Sequence, residues 1–151
     1  MTLFDTHAHY DDEAFDADRD AVLAAFDGLV IDPGCTLASS QAAVDLAARH
    51  THVYAAVGIH PENCGDFVPE HTDALRQLAR EPKVVAIGEI GLDYYWPENP
   101  PRDFQQQVFR AQLELALELN LPVIVHDREA HGDSLAIVKE YPALRGVFHC
   151  Y

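Results

Sequence analysis

Residues 84–93 read VVAIGEIGLD, and the fold turns on how that run is read. Val84 to Glu89 is short, apolar and β-branched, with glycine close behind, which is the pattern of a strand buried on both faces rather than of a helix. It closes on a carboxylate, so a polar group sits where an apolar strand ends. Five further runs share this form: Leu3 to Thr6, Leu29 to Asp32, Val53 to Gly58, Pro122 to His126 and Gly146 to His149.

The stretches between these runs have helical period. Phe15, Val22 and Phe26 mark a first helix, and Ser39 is the expected cap of a second that carries Val44 and Ala47. A third is expected from Glu70 to Arg80, with Leu75 and Leu78 inward. A fourth spans Asp103 to Asn120, with Phe104, Val108, Ala111, Leu115 and Leu119 on one face before Pro122 restarts an extended chain. The last runs from Asp133 to Tyr141. Alternation of this kind predicts α/β architecture with a parallel sheet. Pro97 to Pro101 is a loop, too short to separate domains.

A closed eight-stranded α/β barrel takes about 250 residues, so 151 residues are expected to form a single incomplete domain over 1–151 with roughly six of the eight strands. Its first and sixth strands would then be unpaired edges, open to association with a second copy.

Ten Lys and Arg against 25 Asp and Glu give a formal charge of -15. Such a surface cannot attract a nucleic-acid backbone by itself, and bound cations would have to supply the attraction. The acidic run Asp11, Asp12, Glu13, Asp16, Asp18 and Asp20 reads as a solvated face. Cys35, Cys64 and Cys150 are odd in number and lack C-x-x-C spacing, so they read as half-buried thiols of a reducing compartment. With no basic start, apolar leader or membrane-length run, a soluble cytoplasmic protein without membrane contact is expected.

The polar residues fall in phase with the strand ends. Asp5-Thr6-His7-Ala8-His9 follows the first strand, Gly58-Ile59-His60-Pro61 the third and Gly88-Glu89-Ile90-Gly91-Leu92-Asp93 the fourth. His126-Asp127-Arg128 and His149-Cys150-Tyr151 follow the fifth and sixth. Parallel strands all point one way, so these side chains should converge on one face. Imidazoles around a carboxylate suit Zn²⁺, Mn²⁺ or another divalent ion, and the spacing His7-x-His9 puts two imidazoles on one side of an extended chain. A lone strand-end histidine is more often a satisfied polar residue; the shared phase favours a metal site. His50, His52, His71 and His131 fall outside the phase and are expected in solvent.

These motifs, together with Tyr94-Tyr95 after Asp93 and the run Pro122 to Ala130, resemble the successive motifs of the TatD-related DNases from Leu3 to the last residue. The resemblance implies a TIM barrel and a divalent-metal hydrolase acting on DNA phosphodiester bonds, at ends or in single strands. It further implies two cations (Zn²⁺, Mn²⁺ or Mg²⁺): His7 and His9 hold the first, Glu89 bridges, and His126 and His149 hold the second. An Asp that the family carries after its final strand has no counterpart in this sequence.

The chemistry expected from that resemblance is in-line attack on phosphorus by a metal-bound hydroxide, with Glu89, His60 and Arg128 as the catalytic set. His60 and Arg128 would contact phosphate oxygens, and Asp93 and Tyr94 would orient the ligands. Arg128 reads equally well as a partner of Asp127 or Asp93, and Trp96 as a rim cap rather than a base-stacking platform. Two rivals stand beside this reading. One is a small-molecule amidohydrolase, weakened because Glu89 stands where many such enzymes use a carbamylated Lys and Lys83 is the only lysine nearby. The other is a shortened, non-catalytic metal-binding chain.

Overall fold

The structure, a computed structural model, describes residues 3–150; Met1 and Thr2, and Tyr151 at the end of the last motif, lie outside the described residues. Strands and helices alternate: β1 (Leu3–Asp5), α1 (Arg19–Ala25), β2 (Gly28–Pro33), α2 (Leu37–Arg49), β3 (Val53–Val57), α3 (Pro69–Leu78) and β4 (Val84–Asp93). The chain continues through α4 (Arg102–Leu119), β5 (Val123–Arg128), α5 (His131–Lys139) and β6 (Gly146–Phe148). Every strand pairs in parallel with its neighbour in sequence, giving one sheet in the order β1-β2-β3-β4-β5-β6.

The sheet is curled into part of a barrel wall. Phe4, Leu29, Tyr54, Val85, Ile124 and Val147, one from each strand, line a single apolar hollow of about 340 Å³. Six strands laid flat at about 4.8 Å spacing could not bring the first and the last to one cavity. On the convex side, α-helices cover the sheet through a core that includes Leu23, Val30, Leu46, Val57, Leu75, Ile87, Phe109, Leu113 and Ile137. As expected, β1 and β6 are the sheet's edges.

Several local expectations shift. Thr36, not Ser39, caps α2; Ser39 is the reciprocal partner, its hydroxyl accepting from the Thr36 N–H while Thr36 Oγ1 accepts from the Ser39 N–H. Phe15 belongs to a separate 3₁₀ turn (Glu13–Phe15), and the side chain that α1 buries is Leu23. Leu75 is fully buried while Leu78 is only half-buried.

On α4 Val108 and Leu115 are buried and Phe104 and Leu119 pack against the core, as expected, but the buried face extends to Gln105, Phe109, Gln112, Leu113 and Ala116, and Ala111 is only half-buried. Two glutamines thus go inside. Gln112 donates to the Ile59 carbonyl and accepts from its N–H, while Gln105 does the same for Asp93 and also donates to Pro100. These amides satisfy the backbone of the segments that carry His60 and Asp93, which would otherwise be buried unpaired. Strand β4 runs four residues beyond Glu89, to Asp93, so both acidic groups ride on one rigid element.

Candidate metal centre

At the carboxyl ends of the strands, Glu89 is 3% exposed and is surrounded by imidazoles. Its two oxygens face different sets. Oε2 lies 3.1 Å from His7 Nε2 and 3.5 Å from His9 Nε2. Oε1 lies 2.6 Å from His149 Nε2, 3.0 Å from His126 Nδ1 and 3.7 Å from His60 Nε2. The edges meet here: the rings of His7 and His149, from the ends of β1 and β6, stack at 3.8 Å. A cavity of about 630 Å³ opens over the cluster, with Cys35, Glu62 and Asn63 also in its wall.

The local chain explains these placements. His7 and His9 follow β1 on either side of Ala8, whose N–H donates to the Ile31 carbonyl, and His149 is anchored where its N–H donates to the Val125 carbonyl. His60 caps the 3₁₀ turn Pro61–Asp66, accepting from the Glu62 N–H at Nδ1. A neutral His60 therefore carries its proton on Nε2, which makes it a donor toward the cavity rather than a lone pair for a cation. Burial and the neighbouring His126 push its pKa down to about 4, so it is neutral near pH 7. His126 is gripped from both sides, Nδ1 toward Glu89 and Nε2 at 2.9 Å from Asp93 Oδ2, and Asp93 is fully buried beneath it. With Nε2–H donating to Asp93, the Nδ1 lone pair faces Glu89.

Burial opposes the charge on Glu89, yet its contacts with His126, His149, His7 and His9 outweigh burial and hold the carboxyl well below the usual range. His9 is raised to about 10, by Asp11 first and then by Glu89. Burial alone would lower His126, but Glu89 and Asp93 raise it. Burial also raises the Cys35 thiol, which lies 3.9 Å from Glu89 Oε2.

Sets of donor atoms close enough to share an ion occur at His7, His9 and Glu89, and at His60, Glu89 and His126; with His60 turned as a proton donor, His149 Nε2, 2.6 Å from Glu89 Oε1, stands beside His126 as the other nitrogen on that oxygen. The chemistry of the donors fits divalent cations: each carboxylate oxygen has its own nitrogen ligands, and the His7 and His9 Nε2 atoms, 3.1 Å apart, converge as paired lone pairs do on a metal.

Other expected residues lie elsewhere. The Arg128 guanidinium is 4.0 Å over the Tyr95 ring and 5.3 Å from that of Trp96, forming an exposed rim stack; among the described residues it is ion-paired with neither Asp93 nor Asp127. Asp127 instead meets His131 at 2.7 Å. The Tyr94 hydroxyl donates to Asp133 and accepts from Gln106, and it reaches no imidazole of the cluster. His131 is exposed as expected, but His50 and His52 are half-buried, held by Asp20 and by the Leu23 carbonyl, and His71 is half-buried too. Of the thiols, Cys64 is buried and Cys150 exposed.

Asp11 departs from its acidic run, turning inward against His9 at 3.6 Å. Asp32, the last polar group of β2, is fully buried. Its position at a strand end, like those of Glu89 and His126, was the signal that could have found it.

The sequence pattern of the TatD related DNases matches residues 4–151. This chain belongs to the TatD related DNase family. Among TatD relatives, it is 38% identical over 99% of its length to a Bacillus subtilis protein named "Uncharacterized metal-dependent hydrolase YabD", covering 60% of it. It is 36% identical over 99% of its length to a Salmonella typhimurium "3'-5' ssDNA/RNA exonuclease TatD", covering 59% of it. The crystal structure of the TatD homologue YJJV from Escherichia coli K12 superposes with a TM-score of 0.90 at 34% identity, over 99% of this chain and 60% of that one. The chain thus spans about three fifths of the length of the TatD relatives it matches. Among the described residues, no helix is long and apolar enough to cross a membrane.

Proposed function

We propose that this protein is a divalent-metal-dependent hydrolase of nucleic-acid phosphodiester bonds, working on DNA at ends or in single strands. The observation that carries the reading is the division of labour around Glu89: one oxygen faces His7 and His9, the other His126 and His149. In this reading His7, His9, His126, His149 and Glu89 would hold two cations. The names of the relatives, metal-dependent hydrolase and single-strand exonuclease, support the same class.

When bound, the cations would acidify a water and offset charge on the phosphoryl group. The chain's own residues supply the rest. Neutral His60 donates from Nε2 toward a phosphoryl oxygen. Asp93 holds His126 in one tautomer. Tyr95, Trp96 and Arg128 offer flat faces at the rim, where a nucleobase can stack, and Arg128 adds positive charge there to a chain of formal charge -15. Unpaired thiols at Cys35, Cys64 and Cys150 support a reducing, cytoplasmic setting.

The test is cleavage of an end-labelled single-stranded oligonucleotide with Mn²⁺ or Mg²⁺, before and after chelation. Glu89→Ala should abolish the metal-dependent signal while leaving the circular dichroism nearly unchanged; wild-type turnover in that variant would overturn the assignment. The acidic surface favours one rival, a small-molecule amidohydrolase, and a dihydropyrimidine run in parallel separates the two: turnover of that substrate without DNA cleavage would favour the rival. We also propose that β1 and β6 pair with a second copy of the chain, because both edges are open and Leu3, Phe4, Leu29 and Val147 are exposed beside them.

A further inference from the structure

Behind His9, on the side away from Glu89, lies a second acidic pocket. Asp32 is fully buried, and neither carboxylate oxygen has a hydrogen-bond partner. Asp11 reaches toward it from the loop after β1, with Oδ1 also buried and without a hydrogen bond. One donor atom each from His9, Asp11 and Asp32 lies within 4.8 Å of the others.

The loop is held in place for this approach. The Arg19 guanidinium donates to the backbone carbonyls of Tyr10, Asp11 and Asp12, which fixes the chain on either side of Asp11 and leaves its carboxylate to face His9 and Asp32. Two carboxylates brought together out of water are costly unless a proton or a cation joins them, and burial with the Asp11 carboxylate pushes the Asp32 carboxyl up to about 8. Arg19 contacts the loop backbone, not these oxygens, and His9 faces Asp11 at 3.6 Å without a hydrogen bond to Asp32.

We propose that Asp11 and Asp32 form a cation subsite distinct from the Glu89 cage, taking one small divalent ion of the oxygen-seeking class, Mg²⁺ or Mn²⁺. His9 is the shared wall. Its Nε2 faces Glu89 at 3.5 Å and its Nδ1 faces Asp11 Oδ1 at 3.6 Å. With Nε2 turned to the cage, the Nδ1–H points toward Asp11 whether the ring is neutral or charged. The ion at the subsite is then held by carboxylate oxygens and water, as suits Mg²⁺. The Asp11 side chain, 11% exposed, provides the way in. This site does not require the cage to be loaded.

Bound Mn²⁺ counted by equilibrium dialysis with paramagnetic-resonance detection of the free ion tests this on the wild type, Asp32→Asn, Glu89→Gln and the double variant. Asp32→Asn should bind one ion fewer than the wild type, or bind it at least tenfold more weakly. Glu89→Gln should keep one ion that the double variant loses. If Asp32→Asn does not fold, Asp11→Asn, at the partly exposed side of the pair, takes its place under the same criterion. An unchanged ion count and unchanged affinities in a folded Asp32→Asn or Asp11→Asn protein would overturn the subsite. So would a Glu89→Gln protein that binds no Mn²⁺. Loss of ions in Glu89→Gln alone leaves the cage reading standing, so the two fail separately.

Discussion

Glu89 stays ionised in a buried place because imidazoles face both of its oxygens, and the same crowding sets the protonation of its neighbours in opposite directions. His60 is lowered to about 4 by burial and by His126, so between about 4 and 6.5 the unfolded chain holds a proton that the folded one rejects. Stability contributed by His60 is therefore complete above 6.5 and is lost as the pH falls through that window. The depressed carboxyl of Glu89 acts in the same sense below its ordinary value of 4.5. His9, raised to about 10, works the other way: its contribution is complete below 6.5 and is lost as the pH rises toward 10. Asp32, which burial and Asp11 push up to about 8, loses its contribution as the pH rises from about 4 to 8 and so offsets His60. The urea midpoint of the metal-free protein should therefore be nearly level between about pH 4.5 and 6.5 and fall above that; a midpoint that climbs steadily from pH 4 to 10 would contradict this balance. The positions of His7, Glu89, His126 and His149 were legible because strand ends of a parallel sheet share a face. The pairing of Asp11 with Asp32 was not, because Asp11 sits in an acidic run that reads as solvated, and only the turn of the loop points it inward.

Strand β4 and helix α4 carry the site between them, and both depend on contacts that hydrophobic periodicity does not reveal. Gln112 serves the N–H and the carbonyl of Ile59 next to His60. Gln112→Ala would leave both buried and unpaired, at a cost of roughly 2–4 kcal/mol, seen as a lower urea midpoint with an unchanged slope. Gly91 adopts φ of 144°, and a Cβ there would lie 2.0 Å from the His126 carbonyl oxygen. Gly91→Ala should push β5 outward and weaken Mn²⁺ binding at the cage, while Gly132→Ala, where a Cβ meets nothing within 4 Å, should leave binding unchanged. Equal affinity in both variants would remove Gly91 from the account. The helix itself was readable from its apolar spacing; the full extent of its buried face was not, since buried glutamines look like surface residues until their backbone partners are known.

Across the whole molecule, the alternation of strands and helices was enough to give the parallel order, the open edges and the face on which the site lies. What it could not give is the curl that stacks His7 on His149 and gathers one side chain from each strand around the inner hollow, because curvature comes from side-chain packing across strands far apart in sequence. If a second copy pairs with the edges, light scattering should return twice the mass of one chain, and Phe4→Asp with Val147→Asp should return a single chain; a wild-type monomer at all concentrations would refute the pairing. The account as a whole depends on ions shared by Glu89. The most direct measurement is an anomalous difference map from crystals soaked in Mn²⁺. It should show two peaks within coordination distance of Glu89, one beside His7 and His9 and the other beside His126 and His149. A fully occupied soak with no peak touching Glu89 would contradict it.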